Sequence, residues 1–254
     1  MSDNVLLVER DGRVTILTIN RPEKLNAMSS SVRAAVVRTF KELEADDGIG
    51  AVVLTGAGDR AFCAGLDITE AGGDERLGDI YHVVDRCSKP VVAAINGLCL
   101  TGGLELMLSC DLSIASTSAR FADTHVRVGL IPGSSGLALK LPYLIGLQRA
   151  KEMQLTGNYV SAERAFQIGL VNHVVEPALL MKTALGLAHD MADGNYAAMM
   201  AYKQSIDDGF QISLGEGLKV VTDRASDFYG SVNSEDLKRS KAATMQRGRT
   251  QIRN

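Results

Sequence analysis

Glu105 is the residue of this chain whose setting most invites a chemical reading. It follows two glycines, Gly102 and Gly103, within CLTGGLELMLSC, and the residues after it are apolar enough to be buried. A carboxylate in such a run can take up or deliver a proton. A helix that begins at Gly102 or Gly103 presents backbone N–H groups with no partner inside the helix, at its electropositive end. Glycine removes the side chain that would keep a ligand oxygen away from them. The combination suits an oxyanion held by main chain, with a carboxylate beside it to move protons. A structural reading competes, in which Glu105 only favours the helix start, as the N3 residue if Gly102 is the cap. A second glycine turn, in AFCAGLDITE, follows the strand-like AVVLTG and offers another exposed N–H near Gly65 and Leu66. Two such donors meeting beside one carboxylate would form an active site, and spacing alone does not bring them together.

The elements that must position these groups are short β-rich runs, VTILTI, AVVLTG, VVAAI and LSIAS, each bounded by Gly, Asn, Pro or Asp. Helical patterns separate them. Val32, Val36, Phe40 and Leu43 form an apolar stripe, and Asp74 to Cys87 is a weaker helix. The alternation predicts an α/β fold. Beyond about Leu170 the pattern predicts helices over Pro177–Met191, Tyr196–Asp207, Leu214–Tyr229 and Ser234–Met245. Leu214, Leu218, Val221, Ala225 and Phe228 make one apolar face, which an identical subunit could cover.

The 254 residues, 46% hydrophobic and 22% charged, fit an ordinary globular protein of one large or two small domains. A net charge of −3 gives no general case for nucleic acid or an anionic membrane surface. The opening MSDNVLLVERDGRV is too charged for a signal peptide, and no apolar run approaches the roughly 18 residues of a spanning helix. The expectation is a cytoplasmic protein. Its four cysteines, Cys63, Cys87, Cys99 and Cys110, form no CxxC pair and read as buried free thiols. His82, His173 and His189 show no metal-ligand spacing, and GSSG lacks the GxSxG elbow of a serine nucleophile.

The segments INRPEKLNAM, VVLTGAGDRAFCAGLDI, KPVVAAINGLCLTGGLELMLSCDLSIAS, VGLIPGSSG and LTGNYVSAERAFQIGLVNHVV resemble the enoyl-CoA hydratase (crotonase) superfamily, in order from about Ile19 to Val175. The resemblance implies a spiral of ββα units over residues 1–195. It also implies a C-terminal helical region over 196–254 that forms homotrimers, often paired as dimers of trimers. The substrate it implies is an acyl-CoA thioester whose carbonyl oxygen lies between two backbone N–H groups, here those of Leu66 and Gly102. Coenzyme A enters as part of the substrate, with no permanent cofactor and no metal. Leu66 stands where the family usually carries a small residue, a change that leaves the main-chain donor intact and narrows the pocket. Backbone at Ala64, Asp67 and Ile68 would hold the adenine, with Lys24 and Leu25 near the nucleotide end; Lys24 reads equally well as a solvated lysine. The enolate of such a thioester is common to hydration, isomerisation and decarboxylation, and each donor stabilises it by about 3 kcal/mol.

One position departs from the family. Hydratases place a second glutamate in the segment that here reads RFADTHVRVG, and this chain has His125 there. Histidine can do acid or base work near neutral pH, and a neighbouring Glu105 carboxylate would favour its charged form. On this reading Glu105 activates water while His125 orients it or protonates Cα. Asp123 is a substitute carboxylate, pointing to the same side as His125 if the segment is extended. A purely structural or substrate-shaping His125 stays open. The Ala71–Ser88 segment is shorter than the family's usual acyl-pocket lining. A hydratase is therefore weighed against an isomerase, a decarboxylase and an acyl-CoA-binding paralogue with little catalysis. The basic tail of Lys238, Arg239, Lys241, Arg247, Arg249 and Arg253 reads as a solvated helix or as phosphate contacts to CoA across a subunit interface.

Overall fold

Leu6–Asp11 (β1) and Val14–Ile19 (β2) pair as an antiparallel hairpin. In the computed structural model, which describes residues 4–67, 79–133 and 135–229, β2 then feeds a helix at Ser30–Glu44 (α1). The Ser29 hydroxyl accepts from the Val32 N–H, and Val32, Val36, Phe40 and Leu43 are buried as their spacing predicts.

Three consecutive segments repeat one plan: a strand of a larger sheet, a short strand of a second sheet, then a helix. They are Ala51–Gly56 (β3), Ala61–Cys63 (β4) and Asp79–Asp85 (α2); Val91–Ile95 (β5), Leu98–Leu100 (β6) and Gly102–Met107 (α3); and Leu112–Ser116 (β7), Arg120–Ala122 (β8) and His125–Val128 (α4). Leu137–Ile145 (α5), Leu147–Thr156 (α6), Val160–Ser161 (β9), Ala162–Gln167 (α7), His173–Val175 (β10), Leu180–Ala192 (α8) and Tyr196–Tyr229 (α9) complete the described chain. The larger sheet has the order β1-β2-β3-β5-β7-β10 and is parallel from β2 onward; the smaller runs β4-β6-β8-β9. The ββα spiral is thus present, and the four strand-like runs read from the sequence are β2, β3, β5 and β7.

The parallel strands are buried on both faces, which is why they read as unbroken apolar runs. Val52 and Leu54 of β3 face one core with Val36 and Phe40, while Ala51 and Val53 face another with Leu180, Ala184, Ala188 and Ala192 of α8. Lys89, 1% exposed, turns its ammonium onto the carbonyl oxygens of Leu43, Glu44 and Asp46 and so closes the C-terminal end of α1.

Several boundaries differ from the sequence pattern. The weak helix after Asp74 is helical over Asp79–Asp85, and residues 74–78 lie outside the described residues. A 3-10 turn at Pro177–Leu179 precedes α8. The two helices expected over Tyr196–Asp207 and Leu214–Tyr229 are one helix of 34 residues, because the residues between them keep the helical path. Gly209 lies within it at a cost of about 1 kcal/mol relative to alanine, too little to break it. The side chains of the Leu214–Phe228 stripe, the Ser234–Met245 helix and the basic tail lie outside the described residues. Among the described residues no helix is long and apolar enough to cross a membrane.

Candidate active site

The three short strands β4, β6 and β8 are parallel neighbours, so the segments that leave their C-terminal ends emerge side by side. β4 leads to Leu66, β6 to Gly102 and Glu105, and β8 to Asp123 and His125. The repeat therefore brings together residues that are distant in sequence.

The two glycine turns touch. A Cβ on Gly103 would lie 2.0 Å from the Cys63 carbonyl oxygen, and one on Gly65, whose φ is +98°, would lie 3.2 Å from the Gly102 nitrogen. Only glycine permits that approach. Around Leu66, the Met28 N–H donates to the Gly65 carbonyl at 2.8 Å and the Asp67 N–H to the Met28 carbonyl at 3.0 Å. Thr101, at φ +51°, is held by its N–H on the Ala122 carbonyl at 2.9 Å and by its hydroxyl, 2.6 Å from that of Thr124. Neither the Leu66 nor the Gly102 N–H donates to a main-chain acceptor among the described residues.

Thr101, not Gly102, is the N-cap of α3, so Glu105 sits one position deeper than the capping reading requires. It is 5% exposed, and the Ser135 hydroxyl donates to its Oε1. Its Oε2 lies 3.9 Å from His125 Nε2. The chain does not stay extended through this segment: Thr124 caps α4 and His125 opens it. Asp123 and His125 nevertheless meet, because Asp123 Oδ1 accepts from the His125 N–H at 3.2 Å and lies 2.7 Å from its Nδ1. With Nδ1–H donating to Asp123, Nε2 is the ring nitrogen turned to Glu105.

Burial raises the Glu105 carboxyl above the usual carboxylate range, opposed chiefly by the His125 charge and the Ser135 hydroxyl. Burial alone would lower the His125 pKa; the hydrogen bond to Asp123 and the charges of Glu105 and Asp123 outweigh it, and the net shift is upward. Both shifts are upward, so the carboxyl holds its proton, and the imidazolium its charge, to higher pH than the free groups would. The Cys63 thiol behind it is pushed up to about 12 by burial, so it is no thiolate nucleophile at neutral pH.

Four of the five residues expected near coenzyme A gather on one rim. The Ala64 N–H donates to the Leu25 carbonyl at 3.0 Å, Lys24 is exposed beside it, and Asp67 pairs with Arg21 at 2.9 Å. Ile68 lies outside the described residues. Asn26, which the motif reading passed over, fastens this rim. Its Oδ1 accepts from the Arg21 N–H, and its Nδ2 donates to the carbonyls of Ala57 and Ala61. Its φ of +54° is one that asparagine tolerates better than most residues, a signal available in KLNAM. Ser135 and Tyr81 were also missed. The Tyr81 hydroxyl is buried beside Glu105 and couples to its charge, without a hydrogen bond of acceptable geometry to it. His189 pairs with Asp11 at 3.0 Å, far from these groups in the fold.

The family model described as enoyl-CoA hydratase/isomerase matches residues 9–251. The chain belongs to the enoyl-CoA hydratase/isomerase family. Among its relatives, the probable peroxisomal enoyl-CoA hydratase 1 of Arabidopsis thaliana is 35% identical over 98% of this chain and 96% of that protein. The short-chain-enoyl-CoA hydratase of Clostridium acetobutylicum is 35% identical over 93% of this chain and 94% of its own length. The crystal structure of enoyl-CoA hydratase from Mycobacterium tuberculosis H37Rv superposes with a TM-score of 0.83 at 41% identity, covering 90% of this chain and 99% of that one. The spiral of ββα units is thus the fold of this enoyl-CoA hydratase/isomerase family member.

Proposed function

We propose that the protein catalyses the reversible hydration of a 2-enoyl-CoA to a 3-hydroxyacyl-CoA. The observation that carries this reading is the meeting of the Leu66 and Gly102 turns beside a buried Glu105 that faces His125 at 3.9 Å. A water oxygen about 2.8 Å from both Glu105 Oε2 and His125 Nε2 would subtend an angle near 90° between them, within the range one water accepts.

Glu105 removes a proton from that water as its oxygen bonds to C3 of the enoyl group. The electron pair of the double bond moves toward the thioester, and the two N–H groups bind the developing enolate oxygen. His125, charged and held by Asp123, delivers a proton to C2. Addition of one water is then complete, and the proton on Glu105 returns to His125 before the next turnover. The His125 position thus does the work of a second carboxylic acid, with Asp123 as the residue that orients it.

An isomerase needs only one group moving a proton between C2 and C4, so two groups facing one another favour hydration. The test is incubation with short, medium and branched 2-enoyl-CoAs in 18O-labelled water, beside 3-enoyl-CoAs in ordinary water. Labelled 3-hydroxyacyl-CoA supports the reading. Conversion of 3-enoyl-CoA alone moves it to the isomerase, and acyl-CoA binding without turnover moves it to the binding paralogue.

The reading extends to the rest of the molecule. The rim of Lys24, Leu25, Ala64 and Asp67 holds the nucleotide part of coenzyme A, together with Ile68, which lies outside the described residues; the coenzyme arrives with the substrate and is not a resident cofactor. Residues 1–195 carry the catalytic unit and 196–254 the oligomer contacts of a homotrimer or a dimer of trimers. The four free cysteines accord with a reducing, cytoplasmic setting.

A further inference from the structure

Tyr81 stands apart among the buried polar groups near the site. It is 6% exposed, and its hydroxyl has no hydrogen-bond partner among the described residues. A phenol hydroxyl buried without a partner forfeits its hydration with nothing in return, so such a group is kept where something else will pair with it. Its position is fixed. Ile80 and Val84, both fully buried, seat α2 against the core and leave the ring no freedom to swing out to solvent.

The hydroxyl lies 2.9 Å from where a Cβ on Gly102 would be, with the Met28 Cε at 3.0 Å and the Gly65 Cα at 3.3 Å from the same point. It therefore stands over the Gly102 backbone, at the place where the two glycine turns meet. Glu105, three residues further along α3, is on the same helical face. Burial first, and the Glu105 charge second, hold the phenol well above its ordinary pKa, so it is a neutral donor at pH 7.

We infer that Tyr81 is a further substrate-contacting residue, whose hydroxyl donates a third hydrogen bond to the thioester oxygen held by the Leu66 and Gly102 N–H groups. The inference rests on the acyl-CoA reading above. A donor that is neutral, desolvated and already aimed needs no reorganisation as charge develops, which is where such a bond is worth most.

The test is the carbonyl stretch of bound butanoyl-CoA, labelled with 13C at the carbonyl, read by difference infrared spectroscopy for the wild type and Tyr81→Phe. The removed hydroxyl has no hydrogen-bond partner among the described residues, and phenylalanine keeps the ring, so the variant keeps its packing. Butanoyl-CoA has no double bond to hydrate, so the band reports hydrogen bonding to the carbonyl whether or not the enzyme is a hydratase. The stretch should lie below its solution value on the wild type and move back toward it in Tyr81→Phe, with kcat for crotonyl-CoA hydration falling about a hundredfold. An unchanged band overturns the inference. If it comes with a lower rate and an acidic limb of the pH profile displaced upward, Tyr81 is instead a positioning residue for Glu105. Failure of the wild type to bind butanoyl-CoA at all would overturn the acyl-CoA reading together with this one, whereas binding without hydration would overturn only the hydratase.

Discussion

His125 faces Glu105 with one particular nitrogen because Asp123 occupies the other. The contact is local, made between residues two apart where β8 gives way to α4, and it sets the tautomer and favours the charged form of the ring. Its energetic sign gives a pH prediction. Asp123 supplies the hydrogen bond and part of the charge that lift the His125 pKa against burial, so replacing it by asparagine must lower that pKa. If His125 acts as the acid, the basic limb of kcat/KM marks its loss of a proton. Asp123→Asn should move that limb to lower pH, and the acidic limb set by Glu105 should stay above the ordinary carboxylate range, where burial puts it. A pH profile of hydration in the two proteins checks this, and an unmoved basic limb would separate His125 from the proton transfer. The Glu105 and glycine signals were legible in the sequence because each is a residue type in an unusual immediate context. The Asp123–His125 pair was legible as a pair of names, though not in its geometry, since the chain there turns helical. Tyr81 and Ser135 were not legible, because what gives them meaning is contact with a residue far along the chain.

At the scale of elements, the site depends on how closely β4 and α3 approach. Gly103 is the tightest point of that contact, with a backbone oxygen where a Cβ would go. Gly103→Ala has no flexible neighbour to displace and must push the start of α3 away from the Cys63 strand. Separation of the two N–H donors should cut kcat/KM about a hundredfold or more while the far-ultraviolet circular dichroism keeps its helical shape. A second element-level prediction concerns Lys89. Its ammonium ends on three carbonyl oxygens at the exit of α1; Lys89→Met would take the charged donor from all three, of which the Leu43 and Asp46 oxygens keep a backbone N–H. The expected loss is about 1–2 kcal/mol of unfolding free energy, measured by urea denaturation, with KM for the enoyl-CoA unchanged. Strands β2, β3, β5 and β7 were readable because parallel strands covered on both faces are continuous apolar runs. The second sheet was not, since strands of three residues such as β4, β6 and β8 carry too little pattern to stand out.

At the scale of the whole molecule, the repeated ββα plan is what turns three separate segments into one site. Each repeat sends one short strand into the smaller sheet, and parallel neighbours there deliver Leu66, Gly102 and His125 to the same edge. The change from α/β alternation to helices after about Leu170 was visible in the pattern, whereas the ββα repeat and the continuity of α9 were not. That helix carries exposed Tyr202, Ile206 and Phe210. Apolar residues on a long outer helix accord with the proposed trimer. Light scattering should accordingly give a mass three or six times that of the chain, and Tyr202→Glu combined with Phe210→Glu should lower it; a monomeric wild type would refute the oligomer. The measurement that bears most directly on the account as a whole is the rate at which enoyl-thioester absorbance is lost from crotonyl-CoA with the wild type, Glu105→Ala and His125→Ala. Rapid loss with the wild type and a fall of about a hundredfold or more in each variant is the predicted result. Hydration that persists at nearly the wild-type rate in His125→Ala would contradict it.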